Sequence, residues 1–202
     1  MKVEISTSRD ANDEDAILIG EFRAGNEAAF TRLVKKYQQQ VCNFIFHHSG
    51  RQAEVEDLAQ EVFLKVYTHL AKFESRAAFR TWLYRITLNV CIDHARKRKL
   101  RRMLALDGLS EWARNRLSPS RAVAPSPQAE LEAHELNERI QRGLEGLPEE
   151  FRQALVLRDL EGLNYDEIAE ITSASLGTVK SRISRGRERM RKWLTPFLEE
   201  AE

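Results

Sequence analysis

The sequence is poor in the residues that interrupt or cross-link a chain. It has nine glycines, five prolines and two cysteines in 202 residues, which excludes collagen-like and low-complexity classes and argues against a turn-rich all-β fold. No run approaches the roughly 18 consecutive apolar residues of a membrane helix, and residues 1–15 lack the basic-then-apolar pattern of a secretory signal. Cys42 and Cys91 lie in apolar, helix-like surroundings without CxxC spacing. These absences predict a cytoplasmic protein with reduced, buried thiols.

Patterns typical of catalysis are equally scarce. The sequence has no glycine-rich phosphate loop, and no histidine accompanies a candidate nucleophile and acid. His47 and His48 are adjacent, and adjacent helical residues face different directions, so this pair is a poor metal site. The sequence therefore predicts a protein that is not an enzyme, with no catalytic residue, no cofactor and no metal ligand.

Charge is abundant and is sorted along the chain. The net charge is only +1, yet residues 61–102 carry 11 basic and 3 acidic groups, while residues 103–177 carry 7 basic and 14 acidic groups. Residues 178–192 carry seven basic groups and one acidic group. Because attraction to phosphate depends on local charge, the two basic segments predict two surfaces that face a polyanion.

Apolar periodicity predicts an all-α fold. From Val55 to Leu70 the apolar residues recur on one helical face, and residues 16–22 and 28–46 have helical spacing as well. No segment alternates apolar and polar residues for long enough to require a strand. Helical patterning resumes near Ala129 and continues to Phe197.

Composition divides the chain into two small helical domains joined by a flexible linker. Residues 103–129 contain three prolines and several serines without an apolar period, with one short helix expected at residues 109–116. We therefore expect an acidic extension without assigned role at 1–15, a helical domain at 16–102, the linker at 103–129 and a second helical domain at 130–202.

The second domain contains a helix-turn-helix pattern. Asn164 followed by Glu167 predicts a capped helix start, residues 172–175 form a short polar break, and Gly177 opens a second helix with an apolar inner face. Arginine and lysine on the outer face can donate to guanine edges, while serine and threonine can bond phosphates or bases. A solvated basic helix is the alternative. The outer-face candidates are Thr178, Lys180, Ser181, Arg182, Ser184 and Arg185.

The first domain interleaves aromatic rings with arginines. Two rows of apolar residues run along the helix predicted after Phe79. Only one of these rows can face fully into a small core, so we expect some aromatic rings near the surface. Exposed rings beside guanidinium groups can stack unpaired bases, and the basic helix end suits duplex phosphates. Core packing with a solvated basic tail explains the composition equally well. The candidates for nucleic-acid contact are Phe73, Arg76, Phe79, Arg80, Trp82, Tyr84, Arg85, Asn89, Arg96 and Lys97.

An acidic helical face precedes this segment. Asp57 and Glu61 are four residues apart with Gln60 beside them, opposite the apolar Leu58 and Val62. From the residues alone, this face could be a solvated surface, a set of metal ligands or a docking site for a basic partner.

In this order, the segments resemble the extracytoplasmic-function sigma factors of bacterial RNA polymerase, close to the sigma-E type. The resemblance covers about residues 16–194. Its motifs are residues 57–63, residues 79–86 with Asn89, Leu147-Pro148-Glu149-Glu150 and residues 165–187.

The resemblance implies that the protein binds core RNA polymerase and promoter DNA and helps to melt the DNA, without a small-molecule substrate. It assigns the −10 element to the aromatic and basic candidates named above and the −35 element to the outer face of the helix that Gly177 opens. It also implies an anti-sigma factor as partner, often anchored in a membrane. The core polymerase-binding residues that it implies are Asp57, Leu58, Gln60, Glu61, Val62 and Phe63.

Two other functions explain part of the sequence. A helix-turn-helix repressor or activator that does not bind polymerase accounts for residues 164–191, and an adaptor that sequesters another protein accounts for the helices. The repressor or activator leaves the acidic face around Gln60 and the aromatic segment around Trp82 without a function.

Overall fold

The computed structural model describes residues 4–74, 78–105 and 127–199, which form helices and short connections without a strand. The expected all-α fold is confirmed for this part of the chain. Arg76 and the short helix expected at 109–116 lie outside the described residues. The helices are α1 (Glu4–Arg23), α2 (Glu27–Ser49), α3 (Gln52–Leu70), α4 (Phe79–Ala105), α5 (Pro127–Glu145), α6 (Glu149–Leu155), α7 (Tyr165–Thr172) and α8 (Leu176–Glu199), with a π-helical turn at Val156–Leu160.

Helices α1 to α4 pack around one apolar core. Phe44 of α2, Val62 of α3 and Leu83 of α4 are at most 1% exposed. The Asn26 side chain caps α2 by accepting the amide of Ala28, and α2 ends where Gly50 takes a positive φ of 69° and donates its amide to a carbonyl one turn earlier. Such a left-handed helix end favours glycine, because other residues are strained there.

Helix α1 begins earlier than the sequence predicted. It includes residues 4–15 of the segment 1–15, for which we expected an extension without a role, and Asp15 is only 2% exposed. The Asp15 carboxylate accepts hydrogen bonds from Tyr37 Oη at 2.5 Å and Lys36 Nζ at 2.7 Å. The apolar periodicity did not predict this burial, because it places acidic residues on the surface. The hydrogen bonds from two donors offset the free-energy cost of burying the Asp15 carboxylate.

Helices α5 to α8 form the second helical domain. Leu157, Ile168 and Val179 are fully buried. A Cβ added at Gly186 of α8 would lie 2.8 Å from Leu155 Cδ1 of α6, so the glycine allows these two helices to approach closely.

The predicted helix-turn-helix is present, with one change of boundary. Helix α7 ends at Thr172, and the next residue, Ser173, caps it with a φ of 51°. Helix α8 begins at Leu176, one residue before the glycine expected to open it. Ser175 Oγ accepts the amide of Thr178 at 3.2 Å, so a serine side chain starts this helix.

The cap at the start of α7 is as the sequence predicted. Asn164 Oδ1 accepts the Glu167 amide at 2.9 Å, and the Glu167 carboxylate accepts the Asn164 amide at 2.7 Å. Replacing Asn164 with alanine removes an acceptor from the helix end, so we expect the free energy of unfolding to fall by about 1 kcal/mol. Urea denaturation followed by circular dichroism measures this change. Asn164→Asp, which keeps the acceptor, should retain most of the stability, and equal losses in both variants would contradict a capping role.

Candidate nucleic-acid interface

The outer face of α8 is open to solvent. Val179 and Ile183 are buried against the rest of the second domain, which turns the intervening positions outward. Arg182 is half-buried, and the others predicted for this face are exposed: Thr178, Lys180, Ser181, Ser184 and Arg185. A helix N-terminal half with hydroxyl, ammonium and guanidinium donors can bond both phosphates and base edges in a major groove.

The aromatic cluster near the start of α4 is more buried than we expected. Phe73, Phe79 and Tyr84 are 6%, 3% and 1% exposed, and only Trp82 is half-buried. The ring centroids of Phe73 and Trp82 are 4.9 Å apart, and those of Phe79 and Trp82 are 5.8 Å apart. The sequence predicted exposed rings on which unpaired bases could stack. This prediction is not met in this conformation, because both apolar rows of α4 are covered.

The polar candidates further along α4 remain accessible. Arg85, Asn89, Arg96 and Lys97 are exposed. Asn89 lies about one turn beyond Arg85, so both can face the same ligand. Arg96 also lies 3.8 Å from the Asp93 carboxylate, an exposed ion pair that an incoming phosphate can replace at little cost.

The acidic face of α3 is exposed, but two of the residues that the resemblance implies for polymerase binding are buried on the opposite face. Asp57 and Gln60 are exposed, Glu61 bonds Lys65 at 3.0 Å, and Phe63 is half-buried. Two further candidates, Leu58 and Val62, are only 3% and 0% exposed. In this conformation their side chains cannot contact a partner, because they face the core. They stabilise the packing of α3 against the rest of the first domain.

An apolar groove between α2 and α3 adjoins this acidic face. Sequence reasoning missed the contribution of α2, although Phe30 and Val34 are spaced by four residues as neighbours on one helical face. Leu64, which is 67% exposed, extends the apolar surface at the edge of the groove. The residues that line the groove include Phe30, Val34, Cys42, Gln60, Phe63 and Leu64.

The second domain covers part of the basic segment of α4. Tyr84 Oη donates to the Glu161 carboxylate, and the Arg80 guanidinium donates to the backbone carbonyl of Glu161. Thr81 Oγ1 lies 3.5 Å from the Glu167 carboxylate. Burial raises the pKa of Glu161, an effect that the Tyr84 hydrogen bond and the Arg80 charge oppose. Two of the predicted nucleic-acid contacts are thus engaged within the chain.

A buried histidine lies at the same junction. His48 is 3% exposed, its ring stacks on Phe44, and its Nε2 has no hydrogen-bond partner among the described residues. Burial, reinforced by the charge of Arg152, lowers the pKa of His48 to about 3 from an ordinary 6.5.

This shift predicts that acid destabilises the protein. The unfolded chain binds a proton at His48 below pH 6.5 while the folded chain does not, so stability falls as the pH drops from 6.5 toward 3. The loss is on the order of 1 kcal/mol per pH unit. Urea denaturation at a series of pH values measures this slope, and His48→Gln should flatten it. Identical slopes in the two proteins would assign the effect to other groups.

Two classes of site are absent from the residues that the structure describes. No group of three or more histidine, cysteine, aspartate or glutamate residues is placed to hold a metal ion. Within the same residues, no helix is both long enough and apolar enough to cross a membrane.

Comparison with known proteins agrees with both domains. Residues 33–101 match the model of Sigma-70 region 2, and residues 137–190 match that of Sigma-70, region 4. The RNA polymerase sigma-H factor of Pseudomonas aeruginosa is 37% identical over 94% of this chain and 98% of that protein. The ECF RNA polymerase sigma-E factor of Escherichia coli strain K12 is 36% identical over 91% and 96% of the two chains.

Solved structures show the same arrangement of helices. CnrH, solved in complex with the cytosolic domain of CnrY, aligns with a TM-score of 0.66 at 24% identity over 91% of this chain and 98% of that chain. The sigma factor RpoE of Bartonella quintana, solved with the anti-sigma factor NepR, aligns with a TM-score of 0.65 at 26% identity over 82% and 96% of the two chains.

The matches of the first helical domain to Sigma-70 region 2 and of the helix-turn-helix domain to region 4 define a DNA-binding transcription initiation factor. The chain belongs to the extracytoplasmic-function family of RNA polymerase sigma factors. It is therefore a factor that binds core RNA polymerase and promoter DNA.

Proposed function

We propose that three surfaces of this chain divide the work of promoter recognition. The outer face of α8, at Thr178–Arg185, reads the −35 element. The segment from Phe73 through α4 holds the −10 element, and the acidic face of α3 with the adjoining groove docks on core polymerase. The observation that carries this proposal is the exposed donor face of α8, which lies opposite a buried apolar face of the same helix. The other basic surface is on α4, in the first helical domain.

The geometry of α8 supports the proposed −35 contact. Its first two turns are exposed and rich in donors, and α7 packs across it as the first helix of the motif. In this arrangement the second helix enters the major groove and its N-terminal residues meet base edges. Lys180, Arg182 and Arg185 are the best candidates for base contacts, while Thr178 and Ser181 suit phosphates.

The −10 contact depends on single-stranded DNA. Stacking of an extruded base on an aromatic ring contributes roughly 1–3 kcal/mol, against an unstacking cost of a few kcal/mol. Trp82 is the most accessible ring of the described cluster, and Arg85 and Asn89 lie open beyond it. Backbone contacts and polymerase must supply the rest, so the chain alone should bind promoter DNA weakly.

The polymerase contact combines charge and apolar surface. Asp57 and Gln60 offer acceptors to a basic partner, and the groove between α2 and α3 offers apolar area beside them. An apolar centre with a polar rim is the usual composition of a protein interface. Polymerase then holds the two DNA-reading domains at a set distance. Because the two domains are linked, their two weak contacts with DNA combine into one strong binding interaction.

A protein antagonist would use the same surfaces. Because the related RpoE was solved with an anti-sigma factor, we infer an anti-sigma partner for this chain that covers its polymerase- and DNA-binding faces. The chain performs no bond-making step itself, and its work on polymerase and DNA assigns it to the cytoplasm.

Reconstituted transcription tests the proposed function. Core polymerase is incubated with a genomic promoter library, with and without the purified chain, and RNA 5′ ends are sequenced. We expect new start sites, each preceded by a shared pair of sequence elements at constant spacing. If adding the chain creates no start site that core polymerase lacks, the proposal is wrong. A repressor or activator would instead bind DNA without associating with core polymerase.

A further inference from the structure

Two sets of contacts join α1 to the segment between α3 and α4, one at each end of that segment. At the first end, the Arg23 guanidinium donates to the backbone carbonyl of Phe73, although the two residues are 50 positions apart. At the other end, Tyr37 of α2 lies between α1 and the first residue of α4. Its hydroxyl donates to the buried Asp15 carboxylate at 2.5 Å, and its ring centroid lies 5.4 Å from that of Phe79.

The contact with Arg23 lies where the chain leaves α3. The amide of Phe73 donates to the carbonyl of Leu70, the last residue of α3, at 3.1 Å. The carbonyl of Phe73 is beyond the helix, and Arg23 supplies a donor to it. A hydrogen bond from a charged donor is stronger than one between neutral groups. Arg23 therefore fixes the position of the first peptide after α3.

The end of α1 gives Arg23 a rigid base. The helix ends at Arg23, and Gly25 takes a positive φ of 94°, a conformation that favours glycine. The amide of Gly25 donates to the carbonyl of Phe22 at 3.0 Å. The Phe22 ring packs edge-on against Tyr67 of α3, with the ring centroids 5.3 Å apart. The end of α1 is therefore held against the last turn of α3, just before the chain reaches Phe73.

Both of the supported phenylalanines pack against Trp82. The ring centroids of Phe73 and Phe79 are 5.9 Å apart, and each ring also contacts that of Trp82. The two phenylalanines are buried, whereas Trp82 is half-buried and is the ring of this cluster that a base can reach. A ring that is held in place before it binds loses less conformational entropy on binding.

We infer that α1 is the positioning element of the −10 contact: Arg23 and Asp15 hold Phe73 and Phe79, and these two rings hold Trp82 in place for an extruded base. This inference rests on the proposed function, because it concerns the ring assigned there to the −10 element. Arg23 acts through Phe73 rather than on the DNA, which makes it a positioning residue.

Two other roles for Arg23 predict different results. A residue that only contributes positive charge is replaceable by lysine, and its loss weakens DNA binding equally at all sequences. A residue that only stabilises the fold changes the free energy of unfolding without changing the choice of −10 bases. A positioning residue changes that choice, because the ring on which the base stacks has moved.

The test uses the full-length chain with core polymerase and three variants. Arg23→Ala removes the donor to Phe73, and Arg23→Lys keeps the charge but loses the planar set of donors. Arg32→Ala is the matched control, because Arg32 is also an exposed arginine of the first domain and lies 3.7 Å from the Glu21 carboxylate in an ion pair. Urea denaturation checks that each variant is folded.

Initiation is measured on a promoter obtained by the start-site mapping described above, with its −10 element randomised and a barcode in the transcribed region. Sequencing of the RNA gives the ratio of initiation from preferred to altered −10 sequences. We expect Arg23→Ala to lower this ratio about tenfold, which corresponds to the loss of roughly one base contact, and Arg23→Lys to lower it nearly as far. Arg32→Ala should match the wild type. With the −35 element randomised instead, all four proteins should give the same ratio.

Hydrogen exchange of the free chain measures the positioning without polymerase or DNA. In Arg23→Ala, the peptide that contains the Phe73 amide should exchange about tenfold faster than in the wild type, because local opening there costs less free energy. Arg32→Ala should exchange at the wild-type rate in this peptide.

The remaining outcomes separate the inference from the proposed function. An unchanged −10 ratio in Arg23→Ala would overturn the inference even if hydrogen exchange is faster, because Arg23 would then support only the fold. Full rescue by Arg23→Lys would overturn it too, since charge alone would then be sufficient. If the wild type fails to initiate, the proposed function is wrong. In that case, equal hydrogen exchange in the Arg23 and Arg32 variants would show separately that Arg23 does not hold Phe73.

Discussion

Replacing Lys180, Arg182 and Arg185 together by alanine is expected to reduce initiation from promoters with a −35 element by at least about 100-fold. One good arginine–base contact contributes roughly 1–3 kcal/mol of discrimination, and all three side chains lie on the outer face of α8. The fold should persist, because the buried face of α8 at Val179 and Ile183 is unchanged. Transcription in vitro with core polymerase measures the effect, and circular dichroism checks the fold.

The same helix offers a matched control. Replacing Arg189, Arg191 and Lys192 by alanine removes two arginines and one lysine from the later turns of α8, all exposed. This control should lose far less activity, since these residues lie beyond the turns that enter the groove. An equal loss in the two triple variants would mean that α8 contributes general positive charge to DNA binding rather than contacts at defined positions.

Reversing the charge of α3 should have a comparably large effect on polymerase binding. In the double variant Asp57→Lys with Glu61→Lys, two acceptors on the proposed docking face become cations that repel a basic partner. Like charges brought together across an interface cost several kcal/mol, so we expect the affinity for core polymerase to fall by at least about 100-fold. The Glu61–Lys65 ion pair is exposed and contributes on the order of only 0.5 kcal/mol to the helix, so the fold should remain intact.

Competition with a labelled wild-type chain for core polymerase measures this affinity. The control is Asp166→Lys with Glu170→Lys, which reverses two exposed carboxylates at the same i, i+4 spacing on α7. We expect the control to compete nearly as well as the wild type. If the α3 variant competes equally well, the acidic face is a solvated surface and polymerase binds elsewhere.

The helix-turn-helix could be predicted from the sequence because its signals are local. Asn164 and Glu167 form the capping box within one helical turn, and the spacing of Val179 and Ile183 determines which face of α8 is buried. The resemblance to sigma factors depends on the same short motifs, and the comparisons confirm it. Only the first residue of α8 differed, because Ser175 starts that helix with its side chain.

The expectations that failed involve residues far apart in the sequence. Asp15 is buried because Tyr37, on another helix, donates to it, and no pattern within α1 reveals that partner. Helix α4 has two apolar rows after Phe79, and its own sequence does not show how far each row is buried. The extent of burial depends on the neighbouring helices and on the second domain. The groove beside Gln60 needs two helices, so the pattern of α3 alone indicated only half of it.

The sequence by itself determined the helices other than the start of α1, the two helical domains, the outer face of α8 and the family, because each depends on residue spacing within a few turns. Only the tertiary structure decided that Asp15 belongs to the core, that α2 completes the groove beside the acidic face of α3, and that Glu161 reaches Tyr84 across the domain boundary. These contacts join residues dozens of positions apart. Their free energy depends on which surfaces meet after the helices have formed, and periodicity along one helix carries no information about its neighbours.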